Sequence, residues 1–145
     1  MPPLTEKRFS MDETMHLEDN NMCYACGEKN EKGLHLEFSF FEEEKRIETT
    51  FLPSDHYQGW KGVVHGGIMA TVLDEAMAKL VHRLGYRAVT ASLDVRYKDV
   101  AKTRELFTVS AEVTKHSKRL IITRAVASRG DGRVVAEARA KLMLY

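Results

Sequence analysis

Apolar and polar residues alternate with a period of two in the first third of the chain. Leu34, Leu36 and Phe38 are separated by single, mostly polar residues, and this predicts a half-buried strand from Leu34 to Phe41. Residues Arg46 to Phe51 predict its partner. The charged segment 42–45 between them suits a hairpin turn, so the two strands are expected to pair.

The spacing of apolar residues then changes to three and four. This period predicts an amphipathic helix of about five turns that begins after His65-Gly66-Gly67 and ends at Gly85, because glycine tolerates the left-handed backbone of a helix C-terminus. So broad an apolar face indicates a helix packed against a sheet. The face consists of Ile68, Met69, Val72, Leu73, Ala76, Met77, Leu80, Val81 and Leu84.

After Gly85 the period returns to two and predicts four more strands. In the first of them Thr90 is expected on the polar face, opposite Leu93 and Val95. Short connections between consecutive strands favour antiparallel pairing, and the helix must then cover one face of the sheet. The chain is therefore expected to be an α+β domain with about six strands. The four later strands are expected at 89–98, 107–113, 120–128 and 134–144.

Length and composition are typical of one globular domain. The chain has 145 residues, 43% of them hydrophobic and 30% charged, which excludes disordered and collagen-like proteins. It contains no apolar run of the roughly 18 residues that a membrane helix needs, and no signal peptide pattern. We expect a cytoplasmic protein with an N-terminal arm or short helix at 1–21 and the folded domain at 22–145.

The formal charge of +1 is unevenly distributed. Residues 1–60 carry 13 acidic and six basic side chains, whereas residues 61–145 carry 16 basic and eight acidic ones. A nucleic-acid binder is usually basic as a whole, so no nucleic-acid partner is expected. The basic part could attract a phosphorylated small molecule, although solvated strand faces explain the same charges.

Residues that can carry chemistry gather around the start of the helix. Gly66 and Gly67 leave backbone N–H groups uncovered at the positive end of the helix dipole, where a developing oxyanion can be held; close packing of the helix on the sheet is the alternative. Asp74 lies at the border of the apolar face, about 140° from Met69. A carboxylate there could be a surface charge, a dimer contact or a general base. Glu75, at the other border, remains an alternative.

Helix geometry restricts how these groups can cooperate. Gly66 and Asp74 are eight residues apart, a rise of about 12 Å, whereas one reacting carbonyl needs both groups within about 3–4 Å. If both act on one substrate, they must come from different subunits. The functional unit would then be a two-fold dimer with two equivalent sites.

These residues resemble the hotdog-fold acyl-CoA thioesterases of the phenylacetate-pathway (PaaI-like) type. The resemblance covers about residues 22–145 and rests on Cys23–Gly27 with Asn30 and Gly33–Leu34, on His65-Gly66-Gly67 followed by Asp74, and on the strand from Thr90 to Tyr97. It implies a long helix wrapped by an antiparallel sheet, and dimers that often pair into tetramers. The implied activity is hydrolysis of small or medium acyl-CoA esters, with no cofactor and no metal.

The resemblance also assigns roles to individual residues. Gly66 would polarise the thioester carbonyl, Asp74 of the facing subunit would act as general base or nucleophile, and Thr90 would orient the attacking water. His65 would support the loop, or be a buried histidine bonded to a carbonyl, or contact the thioester. Substrate contacts are expected from the loop and from the basic strands. They are Gly67, Gln58 and Gly59 near the thioester, and Arg96, Lys98, Lys118 and Arg119 at the phosphates of CoA.

One position departs from the family pattern. Several members with an aspartate base have an asparagine six residues before the histidine, where this chain has Gly59; Gln58 or His56 could supply a polar group instead. A non-catalytic acyl-CoA binder on the same fold is therefore the alternative function. A hydratase is a further alternative, but no separate acid–base pair for it is found.

Cys23 and Cys26 form the single Cys-x-x-Cys of the chain. A structural zinc ion would need two more ligands, and only histidines at unusual spacing are available in the sequence. A redox pair would be expected at a helix start that follows a strand. We therefore expect two thiols that pack an N-terminal turn against the first strand; a zinc or redox module is the alternative.

Overall fold

One long helix lies against one face of a six-stranded antiparallel sheet in the computed structural model, which describes residues 17–145. The expected arm at 1–21 therefore lies mostly outside the described residues. The order of elements is the predicted one. The strands are β1 (Phe38–Phe41), β2 (Arg46–Phe51), β3 (Ala88–Tyr97), β4 (Phe107–His116), β5 (Leu120–Arg129) and β6 (Val134–Leu144); the helix α1 spans Gly66–Arg83, and a short 3-10 helix spans Asp55–Tyr57.

The sheet has the strand order β1-β2-β4-β5-β6-β3, and every neighbouring pair is antiparallel. The predicted α+β class with six strands is confirmed. The buried core lies between α1 and the inner face of the sheet, and each large apolar side chain there contributes roughly 1.5–3 kcal/mol through its burial. Its largest fully buried side chains are Phe107, Ile47, Met69, Leu73, Met77, Leu80, Ile121 and Leu142.

Helix α1 ends as its sequence predicts, but it already includes the two glycines that were expected to precede it. His65 is the N-cap, and Gly85, with φ of 98°, follows the C-cap residue Leu84. The face that carries Met69, Leu73 and Leu80 is fully buried. Among residues 17–145, no helix is both long enough and apolar enough to span a membrane.

The prediction that β1 begins at Leu34 is wrong. His35 has a φ of 52°, which interrupts the extended backbone, so β1 begins at Phe38. The amides of Leu34 and Leu36 instead donate hydrogen bonds to the carbonyls of Tyr24 and Ala25. This segment therefore pairs with the turn that contains the two cysteines, and Leu36 is buried against the core from there.

The predicted orientation of Thr90 is also wrong. A β-bulge between Thr90 and Ser92 shifts the register, so that Thr90 pairs with Leu142 while Leu93 pairs with Ala140. Directly paired residues in an antiparallel sheet share a face, and Leu142 and Ala140 both face α1. The extra residue thus places Thr90 on the inner face together with Leu93, instead of on the outer face with Asp94.

An ion pair network holds the connection after β3 against the β5–β6 turn. The carboxylate of Asp99 accepts from the Val100 N–H (2.7 Å) and pairs with Arg129 (3.1 Å) and Arg133 (3.2 Å). The Val100 N–H and the two guanidinium groups lower the pKa of Asp99. Because the folded protein binds this proton more weakly than the unfolded chain, Asp99 adds stability above the ordinary carboxyl pKa, and this contribution is lost as the pH falls through its lowered pKa.

We therefore expect Asp99→Asn to be less stable than wild type at pH 7, with a difference that shrinks as the pH falls below about 4. Urea unfolding measured between about pH 7 and about pH 2.5 checks this expectation. Asp94→Asn, which removes a highly exposed carboxylate of β3, is the matched control. A difference that stays constant over the whole pH range would contradict the proposed contribution of Asp99.

Candidate active site

The start of α1 presents one unused backbone N–H group. The Nδ1 atom of His65 accepts a hydrogen bond from the Gly67 N–H (2.9 Å), and the His65 carbonyl accepts from the N–H groups of Ile68 and Met69. Within residues 17–145 the Gly66 N–H donates to no protein acceptor. Of the two glycines, Gly66 is therefore the one whose N–H is available at the positive helix end, whereas that of Gly67 is already bonded.

His65 is an exposed capping residue, so the alternative of a buried histidine is wrong. Its own N–H donates to the carbonyl of Tyr57, and the Val64 N–H donates to the carbonyl of Ala101. These two bonds hold the loop that precedes α1 against residues on both sides of it. Since Nδ1 accepts from Gly67, a neutral imidazole carries its proton on Nε2 and can donate outward from there.

Tyr97 supports the same helix start and was not identified from the sequence. Its hydroxyl donates to the Gly66 carbonyl at 2.6 Å, and a Cβ on Gly66 would lie 3.3 Å from the hydroxyl oxygen. Burial raises the pKa of Tyr97, which keeps the hydroxyl protonated as a donor. The sequence pattern placed Tyr97 on the apolar face of its strand, but nothing in that pattern indicated a bond to Gly66.

Asp74 and Thr90 are brought together across the interface of α1 and β3. The Thr90 hydroxyl donates to Asp74 Oδ1 at 2.8 Å, and Asp74 is only half-buried. Among residues 17–145 no donor reaches the second carboxylate oxygen. The bulge in β3 is what makes this contact, because it turns Thr90 towards the helix. The arrangement leaves one oriented carboxylate oxygen that can accept a proton.

Glu75 is engaged elsewhere, which favours Asp74 as the reactive carboxylate. The carboxylate of Glu75 lies 3.8 Å from the Cys23 sulfur, on the side of α1 that faces the cysteine turn. Burial raises the pKa of Glu75, and the charge of Asp74 adds to this rise. Burial and the neighbouring Glu75 likewise raise the pKa of Cys26, so this thiol is not an activated nucleophile.

The two groups proposed to meet at one substrate lie at opposite ends of a helix segment. Gly66 and Asp74 both belong to α1, so about 12 Å of helix rise separates them within one chain. Strand β3 runs antiparallel to this segment, because Tyr97 contacts Gly66 while Thr90 contacts Asp74. Apart from β6, β3 has no strand neighbour among the described residues, and Leu93 and Tyr97 on its inner face are partly exposed.

Gln58 and Gly59 belong to the turn that supports His65. The amide oxygen of Gln58 accepts from the Gly62 N–H (3.0 Å), and Gly59 lies against His65, where a Cβ would be 3.5 Å from its ring. His56 is bonded to Ser54 at 3.2 Å. Both side chains expected to replace the missing asparagine thus have local partners. Their contact with a substrate stays a prediction.

The four basic residues expected at the CoA phosphates fall into two groups. Arg96 lies on the outer face of β3 and pairs with Asp94 at 3.9 Å, and Lys98 directly after the strand pairs with Glu137 at 3.4 Å. Lys118 and Arg119 are exposed in the β4–β5 turn. This turn lies near the C-terminal end of α1, since the rings of Tyr86 and His116 are 4.9 Å apart. In the sheet, Arg96 pairs with Glu137 near the start of β6, whereas the Arg119 carbonyl accepts from the Leu144 N–H at its end, so one chain does not bring the two groups together.

Sequence comparison identifies related proteins. Residues 61–136 match the sequence model of the thioesterase superfamily. The acyl-coenzyme A thioesterase THEM4 of Mus musculus is 30% identical over 113 residues, which are 76% of this chain and 49% of that protein. The chain thus spans about half the length of the curated relatives it matches.

Solved structures share the fold. A Bacillus halodurans protein crystallised with CoA has a TM-score of 0.68 and 25% identity, and the match covers 77% of this chain and 75% of that one. A phenylacetic acid degradation-related protein of Ralstonia eutropha JMP134 has a TM-score of 0.70 and 24% identity, with coverage of 76% and 85%. Because its sequence identity is low, the match to the Ralstonia eutropha protein shows only that the two chains share a fold.

Proposed function

Because the chain belongs to the thioesterase superfamily, we propose that it hydrolyses small or medium acyl-CoA thioesters to the free acid and CoA. The observation that carries the proposal is the unused Gly66 N–H on the same helix as an oriented Asp74 carboxylate. The match to an acyl-coenzyme A thioesterase and the structural likeness to a protein crystallised with CoA support this substrate class.

In the proposed reaction, the thioester carbonyl accepts a hydrogen bond from the Gly66 N–H. When water attacks the carbonyl carbon, negative charge develops on its oxygen, and a donor held at a helix N-terminus stabilises that charge without reorganisation. Tyr97 holds the Gly66 carbonyl, and His65 holds the Gly67 N–H. These two bonds keep the donor oriented before substrate arrives.

The carboxylate of Asp74 accepts the proton of the attacking water and then returns it to the departing CoA sulfur. Water supplies the hydroxyl of the acid and the hydrogen of the thiol, so the reaction needs no cofactor beyond the CoA of the substrate itself. Thr90 fixes the carboxylate by occupying Oδ1, which leaves the other oxygen for the water. As a nucleophile, Asp74 would instead attack the carbonyl carbon directly and expel CoA as the thiolate. Water would then hydrolyse the resulting mixed anhydride to the free acid and the Asp74 carboxylate, and its second proton would go to the CoA thiolate.

The proposed site is completed by a second copy of the chain. A two-fold axis through the middle of β3 would pair two such edge strands antiparallel, at a spacing of about 4.8 Å. Since Thr90 marks the Asp74 end of β3 and Tyr97 marks the Gly66 end, this pairing brings Asp74 of one subunit towards Gly66 of the other. It also covers an edge strand that would otherwise be exposed.

Two such dimers would form a tetramer, as the family resemblance implies. The free thiols of Cys23 and Cys26 suit a reducing compartment such as the cytoplasm. Arg96, Lys98, Lys118 and Arg119 are proposed to contact the CoA phosphates, with the two groups supplied by different subunits.

Thiol release from a panel of acyl-CoA esters, from acetyl to dodecanoyl and phenylacetyl, tests the proposed activity. We expect turnover that depends on chain length, with kcat of about 1 s⁻¹ or more for the preferred ester. Heat-treated protein and a non-hydrolysable thioether analogue serve as controls. Tight binding of the analogue without turnover of any ester would favour the non-catalytic acyl-CoA binder instead.

A further inference from the structure

A second group of reactive side chains lies on the other border of α1, away from Asp74 and Thr90. The sulfurs of Cys23 and Cys26 and a carboxylate oxygen of Glu75 all lie within 4.8 Å of one another. Lys79 follows one turn later on the same helix face, and its ammonium group is 3.8 Å from the Cys26 sulfur. None of these side chains has a role in the proposed hydrolysis.

The chain builds this cluster from a tight turn. The Gly27 N–H donates to the Cys23 carbonyl at 2.8 Å, and a Cβ on Gly27 would lie only 2.5 Å from the Cys23 nitrogen, so glycine is required there. Ala25 between the cysteines is buried in the core and anchors the turn. Both thiols are thereby directed at α1, where Glu75 is the residue opposite them.

The donor atoms match a tetrahedral zinc site in kind and spacing. With Zn–S bonds of about 2.3 Å and Zn–O bonds of about 2.1 Å, neighbouring ligand atoms of such a site are roughly 3.6–3.8 Å apart. The distance from Cys23 Sγ to Glu75 Oε2 is already 3.8 Å. Cys-x-x-Cys is also a usual ligand spacing for zinc, and the two sulfurs lie within 4.8 Å of each other, close to the separation that one ion requires.

The charges of the cluster also favour a bound divalent cation. Two thiolates and one carboxylate carry three negative charges, and a divalent cation together with the ammonium group of Lys79 compensates all of them. Without a cation, the partly buried Glu75 has thiols near it, which are weak hydrogen-bond donors. A thiolate-rich donor set selects zinc over magnesium or calcium.

We propose that Cys23, Cys26 and Glu75 bind one zinc ion, which fastens the N-terminal turn to α1. The ligand that the sequence lacked is supplied by the helix, 49 residues after Cys26. The cluster borders a cleft of about 610 Å³ that His82 and Tyr86 also line, so the fourth position faces the cleft and is left to water. The ion would hold the residue next to Asp74 and thereby fix this part of α1.

Titration of the chelator-treated, reduced protein with Co²⁺ tests the site. We expect one Co²⁺ per chain, with thiolate-to-cobalt charge-transfer absorption and the visible bands of tetrahedral cobalt, and displacement of both signals by Zn²⁺. The double variant Cys23→Ser/Cys26→Ser should lose the charge-transfer absorption, and Glu75→Gln should weaken Zn²⁺ binding more than about tenfold. Zinc should also raise the thermal midpoint of wild type.

Glu112→Gln is the matched control, because Glu112 is an exposed carboxylate on β4 far from the turn in the chain. It should bind cobalt and zinc like wild type. Absence of thiolate-to-cobalt absorption in the reduced wild-type protein would overturn the proposal, and this result does not depend on whether any variant folds. Equal zinc affinity of Glu75→Gln and Glu112→Gln would overturn the assignment of Glu75 as a ligand.

Discussion

Replacing Asp74 with asparagine is expected to lower kcat for acyl-CoA hydrolysis by about 100- to 10,000-fold, the usual contribution of a general acid–base residue. Asparagine has nearly the same shape, and its carbonyl oxygen can still accept the hydrogen bond that Thr90 donates to Asp74 Oδ1. The position of the side chain should therefore be kept while its ability to accept a proton is lost. KM is expected to change little, because no substrate contact is removed.

Steady-state thiol release with the preferred ester gives kcat and KM separately, and a thermal melt shows whether the variant is folded. Glu112→Gln is the control for loss of a carboxylate, since Glu112 is an exposed residue on β4 that has no part in the proposed site or dimer contact. It should retain nearly full activity. A folded Asp74→Asn protein with more than about a tenth of the wild-type kcat would remove Asp74 from the mechanism.

The parts of the fold that could be predicted from sequence are those where one face of an element is buried. The spacing of Met69, Leu73 and Leu80 determines α1, because a helix that buries one face needs an apolar residue every three to four positions. Alternation of apolar and polar residues predicts β6 in the same way, and the bounds of this strand agree with the prediction. In both elements the local pattern and the tertiary environment favour the same structure.

The predictions that failed depend on single backbone features that the residue types at those positions do not indicate. His35 adopts a positive φ although it is not a glycine, and this shortens β1. The extra residue in β3 reverses the face of Thr90, yet Ala91 at that point is an ordinary strand residue. Glu75 meets Cys23 only because the N-terminal turn packs on α1, a contact over 52 positions that no local pattern contains.

Substitution of Gly66 by proline is expected to lower kcat by about 100- to 1,000-fold, the effect of losing one oxyanion donor. Proline lacks the N–H that is proposed to polarise the thioester carbonyl. It is nevertheless favoured at the first position of a helix, where Gly66 lies, because that N–H has no partner within the helix. The preceding residue also suits it, since His65 has φ of −58° and ψ of 131°, the extended conformation that proline requires before it.

The matched control is Gly66→Ala, which keeps the N–H. Alanine and proline both add a Cβ, which would lie 3.3 Å from the Tyr97 hydroxyl oxygen, so any effect of crowding at Tyr97 is common to the two variants. Alanine should retain most of the activity, and both proteins should melt near the wild-type temperature. If alanine lowers kcat as much as proline does, the effect arises from Tyr97 and not from the N–H.

The two variants together test whether the site is shared between subunits. Asp74→Asn and Gly66→Pro chains are unfolded, mixed in equal amounts and refolded, so that about half of the dimers contain one chain of each kind. If Gly66 and Asp74 of different subunits act together, each mixed dimer has one intact site of two, and activity should recover to about a quarter of wild type. If both groups came from one chain, no mixed dimer would contain an intact site, and the mixture would stay as inactive as the separate variants. We expect recovery because about 12 Å of helix separates Gly66 from Asp74 within each subunit, so that one chain cannot supply both groups to the same substrate.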